Sequence, residues 1–172
     1  MTQFNPTVSI TRTSPSQYKN FSCTESALDE YIRRYAVNHE KIDIVRTFVL
    51  LNENIVIGYY TLSAAQISIN NLPQEYRKKM PKYPVPASRL CRLAVDHSQQ
   101  GKGIGEHLLA DAIKRVLQAD SVMAIHSMIV DAKNEKSKKF YLKYEFLPLD
   151  GCDLNLFLPL ITLRKSKEDS TD

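Results

Sequence analysis

The chain has 172 residues, 43% of them apolar and 24% charged, and 23 basic against 19 acidic side chains leave a formal charge of +4. That is enough chain for one domain with its own core, in a composition that excludes intrinsic disorder. No apolar run approaches the ~18 residues of a membrane span, and the first 25 residues lack the apolar centre of a signal peptide, so a cytoplasmic protein away from membranes is expected.

In chain order, Val8–Thr11 reads as a short first strand and Ser14-Pro15-Ser16 as punctuation. Thr24 can cap a helix that carries Leu28, Tyr31, Ile32 and Tyr35 at helical spacing. Two β-rich stretches, 46–51 and 55–62, flank Asn52-Glu53-Asn54 and predict a hairpin. Pro73, Pro81, Pro84 and Pro86 make 71–88 a connector with one helical turn at 74–80. Leu90–Val95 is the next strand. Gln99–Gly105 is a turn that holds three of the chain's five glycines. The helix after it gathers Leu108, Leu109, Ala112, Ile113, Val116 and Leu117 on one face. Met123–Val130 is an apolar run suited to a central strand. A helix over 134–144 aligns Ser137, Phe140, Tyr141 and Tyr144. Leu154–Leu163 is a last strand, with Pro159 at an edge or a bulge. A frayed tail at 164–172 follows. The order predicts a mixed sheet with flanking helices in a single α/β (α+β) domain over residues 5–163.

The charge is unevenly spread. Residues 71–92 carry Arg77, Lys78, Lys79, Lys82, Arg89 and Arg92 against only Glu75, and residues 133–145 carry five lysines against Glu135 and Glu145. Such windows are either solvated faces or the footprint of a polyanion, and charge alone favours the first. Cys23, Cys91 and Cys152 with four histidines show neither disulfide nor metal-ligand spacing, so no metal is expected. Cys91, at the head of a core strand, is expected to be a buried thiol.

The sharpest feature runs from strand into helix: Leu93-Ala94-Val95-Asp96-His97-Ser98-Gln99-Gln100-Gly101-Lys102-Gly103-Ile104-Gly105. Such a junction presents unpaired backbone N–H groups at the positive end of a helix, where glycines let a phosphate approach. The dinucleotide fingerprint fails, because Leu108 stands where its third glycine would be. The nucleotide phosphate loop fails, because Gly103 follows Lys102. Gln100-x-x-Gly103-x-Gly105 does match the pyrophosphate loop of the GNAT acyltransferases. The block Asn134 to Tyr141, followed by Phe146, resembles that family's second motif, with Ser137 and Glu145 replacing its usual Ala and Gly. Phe21-Ser22-Cys23, Arg46-Thr47-Phe48-Val49, Gly58 to Ser63, Pro84-Val85-Pro86 and Arg92 to Asp96 resemble a subgroup over roughly residues 5–163. These are the GNAT toxins of bacterial type II toxin–antitoxin pairs.

The resemblance implies a GNAT fold and acetyl-CoA as cofactor. Backbone groups across Gln100, Gly101, Lys102, Gly103, Ile104 and Gly105 would hold its pyrophosphate. Leu93, Ala94 and Val95 would pair with its pantetheine arm, and an N–H near Val95 would face the developing oxyanion. Tyr141 takes the place of the general acid, although it also belongs to an aromatic stripe that could be plain core. Asn134 is either a cofactor contact or a helix N-cap. The implied substrate is aminoacyl-tRNA, whose α-amine needs less deprotonation than a lysine. Arg33, Arg34, Arg77, Lys78, Lys79, Lys82, Arg89 and Arg92 are the expected RNA contacts, Arg92 alternatively a structural arginine. Lys133, Lys136, Lys138 and Lys139 could meet either coenzyme phosphates or RNA. A ribbon-helix-helix antitoxin and a homodimer are the implied partners, with DNA reached only through the antitoxin. Two other functions remain open: acetylation of a protein N-terminus, lysine or small amine, and a non-catalytic CoA- or RNA-binding module.

Overall fold

The computed structural model describes residues 3–168. Its strands are β1 (Val8–Ser9), β2 (Arg46–Asn52), β3 (Ile55–Ile67), β4 (Val85–Val95), β5 (Ser127–Asp131), β6 (Leu147–Leu149) and β7 (Cys152–Pro159). They form one mixed sheet in the order β1-β2-β3-β4-β5-β7-β6. The helices are α1 (Pro15–Tyr18), α2 (Ser26–Glu30), α3 (Ala36–Lys41), α4 (Gln74–Arg77), α5 (Ile104–Ala119), α6 (Glu135–Lys143) and α7 (Leu160–Glu168). A π-helical turn, Tyr31–Tyr35, joins α2 to α3. By contacts the chain divides into two units. The first holds the residues up to Ser63 with Leu90–Lys114, the second Ala64–Arg89 with the residues from Arg115 onward.

In the first unit, β2 and β3 form the expected hairpin, in register from Arg46 opposite Leu62 to Asn52 opposite Ile55. Glu53 (φ 47°) and Asn54 (φ 64°) make the left-handed pair that matches strand twist. The core gathers Ile10, Phe21, Tyr31, Ile32, Val49, Val56, Tyr59 and Ala94. Gly58 lets α5 sit close: a Cβ there would lie 2.9 Å from Leu108 Cδ1 and 3.2 Å from the Ala94 carbonyl. In the second unit β5 and β7 pair antiparallel, Ser127 opposite Pro159 and Asp131 opposite Asn155. Its core holds Ile67, Leu72, Val85, Ala87, Ile129 and Phe157, with the Tyr76 ring edge-on to Phe157 at 5.2 Å.

Several expectations are corrected. The first strand ends at Ser9, because the Ser9 hydroxyl accepts from Thr11 N and starts a 3-10 turn. Pro15 opens α1, where its missing N–H costs nothing. Thr24 does not cap the long helix. It sits at φ 74°, and Glu25 takes the cap position. β4 begins at Val85, earlier than expected, since Pro86 needs only to accept, and its carbonyl takes His126 N at 2.9 Å. β5 begins late, at Ser127: Asp120 Oδ1 accepts Ile125 N (2.9 Å), which holds the preceding segment as a turn with Val122 and Met123 exposed. β7 stops earlier than expected, at Pro159, which pairs with Ser127 on the β5 side and lies two residues past Phe157, the last residue paired to β6. The chain then enters α7, so the expected tail is helical to Glu168 and only 169–172 fall outside the described residues. Among the described residues no helix is long and apolar enough to cross a membrane.

Candidate active site

The first unit carries the glycine junction. β4 ends at Val95, and Asp96 caps a 3-10 turn over His97–Gln99. Its carboxylate accepts from Ser98 N (3.0 Å), Ser98 Oγ (2.7 Å) and Ser22 N (3.2 Å). Burial alone would raise the Asp96 carboxyl. The hydrogen bonds from Ser98 and Ser22, with the nearby His97 ring, outweigh it and hold the pKa below the ordinary value. His97 N donates to the Ser22 carbonyl at 2.8 Å. Gln100 Nε2 donates to the carbonyls of Val95 (3.1 Å) and Cys23 (3.3 Å). The motif glutamine thus staples its own loop both to the strand end and to the segment Phe21–Glu25. That segment is fixed in turn by buried Asp29, which accepts from Cys23 N (2.7 Å) and Ser22 Oγ (3.1 Å).

Beyond the staple the backbone needs glycine. Gly101 (φ 77°) and Gly103 (φ 80°) occupy the left-handed region, and a Cβ on either would meet nothing within 4 Å. The loop therefore faces open space with little side chain in the way. The first bond of α5 runs from His107 N to the Gly103 carbonyl at 3.1 Å. The amides of Ile104 and Gly105, ahead of it, have no intrahelical acceptor. Open amides, a helix N-terminus and the Lys102 cation fit the pyrophosphate of a coenzyme A thioester. Lys102 Nζ is held near the loop by Gln99 Oε1 at 3.1 Å. Leu93 and Val95 are half-buried at the end of β4, with Ala94 buried between them.

The second unit carries α6. Asn134 is the N-cap: its Oδ1 accepts from Ser137 N (2.9 Å) and Ser137 Oγ (3.2 Å), so the serine that replaces the usual alanine tightens the cap. Tyr141 is 7% exposed, and burial pushes its phenol up to about 12. Its ring packs edge-on against Phe140 (5.2 Å) and Phe146 (5.4 Å). Glu145 holds φ 68°, the conformation that the family's glycine would supply.

The basic residues fall into several settings. Arg33 and Arg34 are exposed on the π-helical turn, where Arg34 pairs with Glu30 at 3.1 Å. Arg92 stacks its guanidinium 3.5 Å from the centroid of the Tyr31 ring, which favours its structural reading. Tyr31 is raised by burial, against the lowering pull of that cation. In the second unit Arg77 pairs with Asp150 at 3.2 Å, Arg89 pairs with Asp131, and Lys78, Lys79 and Lys82 are exposed. The buried thiol is Cys23 and not Cys91, which is half-buried. Burial and Asp29 raise Cys23 to about 11, so it is a poor nucleophile. Sequence reading missed the Ser22–Asp29–Asp96 clasp. Its one local signal is Asp96-x-Ser98, an aspartate positioned to cap a turn.

Residues 13–146 match the model of the acetyltransferase (GNAT) family. The fold and the glycine junction define a class, and the chain belongs to the GNAT acetyltransferases. Within it, the chain is 36% identical over 141 residues to the tRNA-acetylating toxin of Mycobacterium tuberculosis (strain ATCC 25618 / H37Rv), covering 81% of this chain and 84% of that protein. It is also similar to AtaT complexed with acetyl-methionyl-tRNAfMet, with 32% identity, a TM-score of 0.87, and 94% and 98% of the two chains covered. A tyrosine-to-phenylalanine mutant of AtaT bound to the C-terminus of the antitoxin AtaR and acetyl-CoA gives 31% identity and a TM-score of 0.73, with 87% and 88% covered.

Proposed function

We propose that this protein transfers the acetyl group of acetyl-CoA to the α-amino group of aminoacyl-tRNA and, by doing so, arrests translation as a toxin. The observation that carries the reading is the β4–α5 junction, with Gly101 and Gly103 left-handed and the helix amides open. The relatives narrow its substrate. Acetyl-CoA, when bound, supplies the acetyl thioester. The loop amides and Lys102 hold its pyrophosphate, and the main chain of Leu93 to Val95 aligns its arm. The Val95 N–H stabilises negative charge developing on the carbonyl oxygen. Tyr141 keeps its proton throughout the neutral range because burial raises it to about 12. It would give that proton to the departing thiolate, and the proton that the amine loses as the amide forms would restore the neutral phenol. An α-amine with a pKa of about 7.7–8.0 is partly neutral at pH 7, so no dedicated side-chain base is required. Arg33, Arg34, Arg77, Lys78, Lys79, Lys82 and Arg89 are the RNA contacts of this reading, and Arg92, stacked on Tyr31, is its structural arginine. Its setting is a cytoplasmic homodimer restrained by a ribbon-helix-helix antitoxin, with DNA reached through that complex.

Mass spectrometry of an aminoacyl-tRNA pool incubated with the protein and acetyl-CoA tests the reaction. Acetyl on the α-amine is the expected result. Acetyl found only on protein or small amines overturns the substrate. Tyr141→Phe is expected to lower kcat about 10²–10⁴-fold with little change in acetyl-CoA binding. Undiminished turnover removes Tyr141 from the acid role.

A further inference from the structure

One face of the β2–β3 hairpin carries Val49 opposite Tyr59, in a core cluster with Tyr31 and Ile32 of the π-helical turn. Two residues along on that face, Thr47 lies opposite Thr61. Both threonines are 0% exposed, and Tyr31 is 4% exposed. The hydroxyls of Thr47, Thr61 and Tyr31 are shut off from solvent, and none of them hydrogen-bonds another group of the described residues. A buried hydroxyl without a partner costs free energy. Valine has nearly the shape of threonine without that cost, so the two threonines put hydroxyls where packing alone asks for none. The groups are also close together. Directly opposed side chains on antiparallel strands have Cβ atoms about 4.5–5.5 Å apart. The Thr47 hydroxyl stands near enough to the Tyr31 phenol to pull its pKa down.

We propose that Thr47, Thr61 and the Tyr31 hydroxyl form a binding site for one internal water molecule, which bridges them and ties the π-helical turn to the β2–β3 hairpin. A buried water takes about two to four polar partners, and hydroxyls that can each donate and accept supply them. The surroundings favour water over an anion. Arg92 brings a cation to the Tyr31 ring, 3.5 Å from its centroid. The Glu40 carboxylate approaches too: its Oε2 accepts Thr47 N at 2.6 Å, and its charge raises the phenol. A neutral ligand that donates and accepts suits a site near both charges. With the water bound, the Tyr31 hydroxyl is linked to β2 and β3 while Arg92 of β4 covers its ring, so one side chain joins the turn to three strands. This role does not depend on the acetyl-transfer reading.

Two measurements on the full-length protein test the site. A crystal structure that shows ordered water is expected to place one density peak about 2.5–3.0 Å from at least two of the three hydroxyl oxygens. Hydroxyls bonded directly to one another, or a dry space between them, overturn the proposal. A peak that bromide replaces on soaking makes the ligand an anion and overturns it too. The second measurement is urea unfolding of Thr47→Val, Thr61→Val, their double variant and Tyr31→Phe, which keeps the ring under Arg92. Each single substitution removes a partner of the water and is expected to lower the folded-to-unfolded ratio about fivefold. The double threonine variant is expected to lose less than the product of its singles, because the first substitution already weakens the shared water. Hydroxyls that hold no water respond in the opposite sense, since an apolar replacement relieves them. Unchanged or raised urea midpoints in the three single variants therefore overturn the proposal.

Discussion

Glu145 shows what one backbone angle costs. An L-residue at φ 68° meets steric resistance that glycine escapes, and the position closes the turn after α6. The Tyr141 carbonyl accepts Phe146 N at 3.3 Å across that turn. Glu145→Gly is therefore expected to stabilise the fold by about 0.5–1 kcal/mol, read as a higher urea midpoint with an unchanged slope. A lower midpoint would mean that the glutamate side chain contributes more than its backbone costs. Gly101 and Gly103 are the reverse case, since the same angle there is met by residues that adopt it freely.

The glycine junction, as an element, depends on groups well outside its motif. Asp96 ties it to Ser22, Gln100 ties it to Cys23, and Asp29 anchors both partners. Asp96→Ala removes the cap of the 3-10 turn and the Ser22 contact, with an expected loss of about 1–2 kcal/mol. Because the folded state lowers the Asp96 pKa, its contribution is present above the ordinary aspartate value and lost as pH falls through the folded one. A wild-type-minus-variant stability difference that persists unchanged at pH 2 would contradict this. Elements with strong local signals were legible in the sequence: the Asn52–Asn54 hairpin, the turn into α5 and the face of α6. The rest was set by partners distant in sequence. Ile125 is held in a turn by Asp120, β4 extends through Pro86 because His126 needs an acceptor, and β6 and α7 carry too little periodicity to announce themselves. The two sequence motifs of the site were legible, whereas the clasp that braces the first of them joins residues 74 positions apart, Ser22 to Asp96.

Across the whole molecule, buried phenols and a buried thiol set an alkaline limit. Tyr141 is raised to about 12 and Cys23 to about 11 by burial, and Tyr18, Tyr31, Tyr59 and Tyr76 move in the same direction. The unfolded chain ionises first, so the thiol's contribution is fully present only below about pH 8 and the phenols' only below about pH 9, and both are lost as pH rises toward 12. Urea midpoints are expected to be level from pH 7 to 8, to slip slightly by 9 and to fall steeply above 10. A level profile to pH 11 would contradict the burial of these groups. The basic windows also read differently in three dimensions. Arg34, Arg77 and Arg89 each face a carboxylate (Glu30, Asp150 and Asp131), all three from outside the windows, so Lys78, Lys79 and Lys82 carry much of the accessible charge of the first window.

A π-helical turn holds one residue more than the α-helical path it replaces. Removing a single residue between Tyr31 and Tyr35 would let α2 and α3 merge into one regular helix with better hydrogen bonds, at the loss of one of two adjacent arginines. The present chain keeps the extra residue and the poorer geometry.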